Sequence, residues 1–182
     1  MTTSVQAHRA ATLDGLIDRV EIYDLAVRYC RAVDRREWAV LPALYHAEAH
    51  NIYGPGFSGS PADFVSWLRD QVAGLEATAH YVLNTSYRFD GNRAEGELYF
   101  IAYHRTLPPE RRELFIAGRY LDRYERRGDG PWKIAKRTLV WDWTNESAVT
   151  AVSLALLRSG AELASFETDA SYGALKLFKR DA

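Results

Sequence analysis

Apolar residues recur at helical spacing near the start of the chain. Leu13, Leu16, Ile17, Val20, Ile22, Leu25, Ala26 and Tyr29 predict one or two amphipathic helices over Thr12 to Val33. Asp24 and Arg28, four apart on the other face, add a weak carboxylate–guanidinium support. A second helical stretch is predicted from Trp38 to Tyr45, leading into a short β-like run from Ala47 to Tyr53. Gly54-Pro55-Gly56 then breaks the chain, and Pro61 opens another helix through Trp67, Leu68 and Val72.

From His80 onward the period changes to two. Turn signals at Asp90-Gly91-Asn92, Pro108-Pro109 and Gly128-Asp129-Gly130 divide this part into four strands: Tyr81 to Phe89, Ala94 to Arg105, Leu114 to Glu125 and Trp132 to Trp143. Helices followed by an antiparallel meander make an α+β fold, with the sheet curled over the helices and a cavity between them. Ser147 to Arg158 reads as helical again, ended by Ser159-Gly160. The tail from Phe166 to Phe178 is apolar enough to pack as a lid or against a neighbouring subunit. There is no internal repeat, so residues 1–182 read as a single domain with a core over 13–144.

Composition narrows the function. The 182 residues are 47% hydrophobic and 26% charged, with a net charge of −1, a soluble balance without sequence-wide attraction to nucleic acid or anionic membranes. A small-molecule partner is expected instead. The amino terminus lacks a basic start followed by an apolar run, and no stretch reaches membrane-spanning length, so a cytoplasmic protein is the default. Cys30 is the single cysteine, which excludes an intramolecular disulfide and a thiolate metal cluster. Aromatic residues, at 13%, are the unusual component, and rings with polar edges suit a cavity for an aromatic or polycyclic ligand.

Two residues carry the chemistry. Asp34 ends the first helix, and His80 stands in an apolar run at the start of the sheet. Spacing alone favours a surface pairing of Asp34 with Arg35 or Arg36, and a satisfied core histidine at position 80. Brought together, the two form a His–Asp pair in which the carboxylate orients the ring and favours its protonated form, the chemistry of a general base. His46, His50 and His104 invite a metal reading. The predicted break between helix and strand removes the geometry that would aim His46 and His50 at one ion, so no metal is expected.

Four segments resemble a known family. Tyr29-Cys30-Arg31-Ala32-Val33-Asp34-Arg35-Arg36-Glu37-Trp38, Ala79-His80-Tyr81-Val82-Leu83-Asn84, Gly118-Arg119-Tyr120-Leu121-Asp122-Arg123-Tyr124-Glu125-Arg126 and Gly130-Pro131-Trp132-Lys133-Ile134 are similar to the SnoaL-like branch of the nuclear transport factor two-like superfamily. The resemblance covers roughly Leu13 to Thr144. It implies a cone-shaped α+β barrel of helices in a strongly curved, mostly antiparallel sheet. Enzymes of this fold include scytalone dehydratase, bile acid dehydratase and hexachlorocyclohexane dehydrochlorinase, which eliminate water or halide without metal or organic cofactor. The resemblance also implies self-association, as a homotrimer or homodimer through the outer sheet face.

Carried over residue by residue, Asp34 and His80 match the dyad. Tyr29 resembles the tyrosine of the bile acid dehydratase type rather than the lysine of the dehydrochlorinase, which disfavours a halide leaving group. It lies about 140° from Asp34 around the helix, so both border one cavity. Arg137 resembles an arginine that faces the dehydrochlorinase cavity. It shares strand parity with Leu139, Trp141 and Trp143, and a buried guanidinium there must meet an acid such as Asp122, or a ligand oxygen. Asn84 shares parity with His80, while Tyr45, Tyr53, Trp38, Tyr103, Trp141 and Trp143 are candidate cavity-lining residues. The implied activity is a cofactor-independent lyase, either a dehydratase or one releasing a one-carbon fragment such as formaldehyde. The alternatives are a steroid-type isomerase or polyketide cyclase, and a non-catalytic binding or oxygenase small subunit.

Overall fold

A computed structural model describes residues 12–158, 166, 168–175 and 177, with side chains 156–158 excepted; His8 and the rest of the tail lie outside them. The first predicted helix is one continuous element, α1 (Leu13–Asp34), capped by the Thr12 hydroxyl, which accepts from the Gly15 N–H at 3.1 Å. Its buried face carries Ile22, Leu25, Ala26, Tyr29 and Val33. Asp18 fastens the helix to the sheet, accepting from Arg126 at 2.7 Å and from the Trp132 indole at 3.0 Å.

The helix predicted over 38–45 is only the turn α2 (Val40–Ala43), and β1 (Tyr45–Tyr53) starts two residues earlier than expected. β2 (Phe57–Gly59) and α3 (Pro61–Ala73) follow, the latter capped by Ser60 with proline in its first turn. The meander is β3 (Leu75–Asp90), β4 (Arg93–Thr106), β5 (Arg112–Arg126) and β6 (Trp132–Ala148). β6 runs five residues past its predicted end, because the next helix, α4 (Ala151–Arg158), begins only after Thr150, whose hydroxyl accepts from the Ser153 N–H at 3.1 Å. α5 (Ala170–Ala174) follows. Among the described residues no helix is long and apolar enough to cross a membrane.

The six strands form one sheet in the order β2-β1-β6-β5-β4-β3, antiparallel except for β1 beside β6. Its two ends do not meet, so the expected barrel is an unclosed, curved sheet wrapped around α1 and α3. Gly118 shows how tightly the sheet bends: a Cβ there would lie 2.2 Å from the Val140 carbonyl oxygen and 3.1 Å from the Phe100 ring. Without that side chain, Phe100 stacks on Tyr120 with ring centroids 4.4 Å apart.

The outer face of β5 carries ion pairs beside the exposed side chains of Phe115 and Leu121. Arg119 binds Asp142 and Glu97, Arg123 approaches Glu95, and Arg127 contacts Glu48 and Glu125. Alternation sends Tyr120, Asp122 and Tyr124 inward from the same strand.

Candidate active site

Asp34 is the last residue of α1, and the chain leaves that helix through a Schellman turn. The Glu37 N–H donates to the Ala32 carbonyl at 2.8 Å and the Arg36 N–H to the Val33 carbonyl at 3.2 Å. Arg36 takes the left-handed position usually given to glycine, with φ +55. Its guanidinium holds that conformation by donating to the Val72 and Leu75 carbonyls, at 2.7 and 3.1 Å.

A carboxylate at a helix C-terminus opposes the helix dipole. Asp34 is compensated from β3: Oδ2 accepts the His80 backbone N–H at 2.8 Å, and Oδ1 lies 2.6 Å from His80 Nδ1 and 3.4 Å from the Thr78 hydroxyl. The carboxylate is therefore locked by backbone as well as side chain. A proton on the Nδ1 that faces Asp34 would donate to the carboxylate and leave Nε2 with a free lone pair.

The imidazole borders a cavity of about 380 Å³ inside the curled sheet. Tyr29, Tyr53, Trp67, Phe100, Tyr120 and Trp141 supply its aromatic wall, and His80, His104 and Gln71 its chief polar groups. Gly54 makes room for Trp141: it adopts φ +56, and a Cβ on it would fall 2.6 Å from the indole. The Tyr29 and Tyr53 hydroxyls lie 2.9 Å apart, so one donates to the other and a second O–H remains for a ligand. Burial raises the pKa of both well above the usual tyrosine value. They are donors, not bases.

His104 is a site residue that the sequence reading passed over, having weighed it only as a metal ligand. It lies opposite Thr78 on β4, and its ring meets His80 edge to face with centroids 5.5 Å apart. Burial first, and the neighbouring His80 second, lower its pKa to about 4. Its Nδ1 is buried without a hydrogen-bond partner among the described residues. Strand parity was the available signal, since Phe100, Ala102 and His104 alternate onto one face.

Arg137 does not line this cavity. It is fully buried and grips Asp122 through two hydrogen bonds of 2.8 and 2.6 Å, while the Tyr124 hydroxyl donates to the same carboxylate at 2.6 Å. Of the two partners open to it in the sequence, the acid is the one it meets. Its guanidinium lies over the Tyr29 and Tyr120 rings, 4.4 and 4.1 Å from their centroids, behind the cavity wall.

Other expected residues also lie elsewhere. Between the pairs Val82↔Phe100 and Thr85↔Leu98, two residues of β3 oppose one of β4. This bulge breaks the parity and leaves Asn84 exposed, away from the cavity. Tyr103 is on the opposite face of β4 from His104, bonded to Glu113 at 2.9 Å. Trp38 packs under Arg69 and Tyr45 beside Phe64, outside the lining. A second irregularity, at Asp142, keeps Trp141 on the cavity but turns Trp143 to the outer face beside Ala117. His46 and His50 both fall on β1 rather than across a break, where His46 meets the Glu125 carbonyl and His50 the Ser58 hydroxyl. Among the described residues no three His, Cys, Asp or Glu side chains converge as a metal site.

Residues 14–138 match the model of the SnoaL-like domain. The chain belongs to the SnoaL-like family. An uncharacterized protein of Mycobacterium tuberculosis is 29% identical over 122 residues, which cover 66% of this chain and 82% of that one. A putative scytalone dehydratase from Novosphingobium aromaticivorans shares the fold with a TM-score of 0.66 at 22% identity, over 75% of this chain and 91% of its own. A hexachlorocyclohexane dehydrochlorinase from Novosphingobium barchaimii does so with a TM-score of 0.69 at 23% identity, over 76% and 95%. The SnoaL-like segment contains Tyr29, Asp34, Tyr53, His80 and His104, while Trp141 and the end of β6 lie beyond it.

Proposed function

We propose that this SnoaL-like protein is a cofactor-independent lyase that removes water from a one- or two-ring oxygenated molecule, with His80 as the base. The observation that carries the reading is the 2.6 Å contact between His80 Nδ1 and a carboxylate locked from three sides, on a ring that also borders the aromatic cavity. The relatives named as dehydratase and dehydrochlorinase are consistent with elimination chemistry. At about 380 Å³ the cavity lies toward the small end of the roughly 300–1,000 Å³ range of ligand sites, which favours small ring systems over a tetracyclic steroid.

In this scheme Nε2 of His80 takes a proton from the carbon beside the leaving group, and Asp34 stabilises the resulting imidazolium. The O–H left over by the Tyr29–Tyr53 pair donates to the oxygen on which negative charge develops. The electron pair left on carbon forms the new double bond as the C–O bond breaks. The imidazolium proton then passes to the departing hydroxyl, so that water leaves and the base is restored. Neutral His104 donates a hydrogen bond without changing charge. The aromatic wall limits competing water and strengthens each polar contact. The same groups support the related release of formaldehyde from a hydroxymethyl substrate.

Hydroxylated ketones of one, two and four rings, followed by mass spectrometry, test the proposal. The expected product is lighter by one water, or by formaldehyde, from the smaller compounds, and His80→Ala lowers its formation by about 10²–10⁴-fold. A product of unchanged mass makes the protein an isomerase. Undiminished turnover in His80→Ala refutes the dyad.

A further inference from the structure

The aromatic wall of the dyad cavity changes along its depth. Tyr29, Tyr53, Phe100 and Tyr120 are 2–6% exposed, whereas Trp141, on the same lining, is 48% exposed. Gly56, Gln71 and Trp141 are the exposed residues of the lining and so mark its mouth. Of these, Trp141 is the large one.

The backbone around it seats the indole in place. β1 ends at Tyr53, opposite Leu139, so β6 carries Trp141 past the turn that follows. The Gly56 N–H closes that turn by donating to the Tyr53 carbonyl at 3.2 Å, and Gly54 takes the left-handed conformation within it. The six-membered edge of the indole rests on Gly54, where a Cβ would lie 2.6 Å from Cζ3 and 3.2 Å from Cη2. On its other side β6 pairs Trp141 with Gly118, and the extra residue Asp142 follows at once. The ring is therefore held between two positions that lack side chains, and a close-packed ring is a firm edge rather than a loose one.

We infer that Trp141 sets the upper size limit of the ligand. The indole closes one side of a cavity of about 380 Å³, admitting molecules of one or two rings and stopping a fused four-ring skeleton at the mouth. A fused skeleton cannot bend around the obstacle. It must either push the indole off its seat, at the cost that overfilling a packed site carries, or stop short of His80. That the ligand is an oxygenated ring compound rests on the lyase reading, but the size limit needs no reaction.

Calorimetric titration of the full chain with a two-ring and a four-ring hydroxylated ketone tests the limit without turnover. The wild type is expected to bind the two-ring compound at least about 10-fold more tightly. Trp141→Ala is expected to tighten binding of the four-ring compound by about 10-fold or more, with Trp141→Phe between the two. Trp143→Ala, on the outer face beside Ala117, keeps the wild-type ratio. Equal affinities in the wild type, a ratio unchanged in Trp141→Ala, the same change in Trp143→Ala, or no binding of either compound by any of the proteins overturns the inference. Turnover of the two-ring compound with an unchanged ratio in Trp141→Ala sinks the size limit and keeps the lyase. Size selection relaxed by Trp141→Ala, in a protein that converts neither compound, sinks the lyase and keeps the size limit.

Discussion

Replacement of His104 by glutamine tests the electrostatics of the cavity through stability rather than turnover. Burial and the neighbouring His80 lower the His104 pKa from 6.5 to about 4. Below pH 6.5 the unfolded chain binds a proton at this position that the folded chain rejects. Stability from this residue is therefore complete above pH 6.5 and lost as pH falls toward 4. At about 1.36 kcal/mol per pKa unit, the full effect is about 3 kcal/mol, with roughly 2–3 kcal/mol already lost at pH 4.5. Urea unfolding of wild type and His104→Gln at pH 7 and pH 4.5 isolates it, because the two proteins differ only at this side chain. The wild type is expected to lose about 2–3 kcal/mol more than the variant between the two conditions. Equal losses would refute the claim that His104 is held neutral by its surroundings.

Arg137→Met strands the Asp122 carboxylate beneath the aromatic wall, at a cost of about 3–5 kcal/mol in denaturant unfolding; a loss of ligand affinity at unchanged stability would instead return Arg137 to the cavity. Tyr29→Phe removes one hydroxyl of the 2.9 Å pair, and turnover is expected to fall about 10–100-fold while unfolding free energy falls by only about 1–2 kcal/mol. Equal turnover in Tyr29→Phe would show that the pair does not meet the developing oxyanion.

The parts of the site that the sequence discloses are those set by local rules. Asp34 is legible because helical spacing stops beside it, and His80 because period-two alternation starts there. Their meeting depends on β3 lying along the end of α1, which no local pattern encodes, and the family resemblance supplied it. Asn84 and Trp143 were misplaced for one physical reason: each lies in or beside a bulge, and one extra residue reverses every face assigned by parity. Tyr103 was recoverable, since counting from Phe100 puts it on the face opposite His104. The parallel pairing of β1 with β6 joins segments about 90 residues apart and leaves no mark on the alternation of either.

The proposed mechanism requires Asp34 to hold the proton on His80 Nδ1 and to leave Nε2 as the base. Long-range ¹⁵N–¹H NMR of the His80 ring at neutral pH measures this directly, in the wild type and in Asp34→Asn. A protonated Nδ1 and bare Nε2 are expected in the wild type, shifted toward the opposite tautomer in the variant, whose amide can donate to Nδ1. A wild-type ring protonated on Nε2 alone, or a tautomer unaltered by Asp34→Asn, would contradict it.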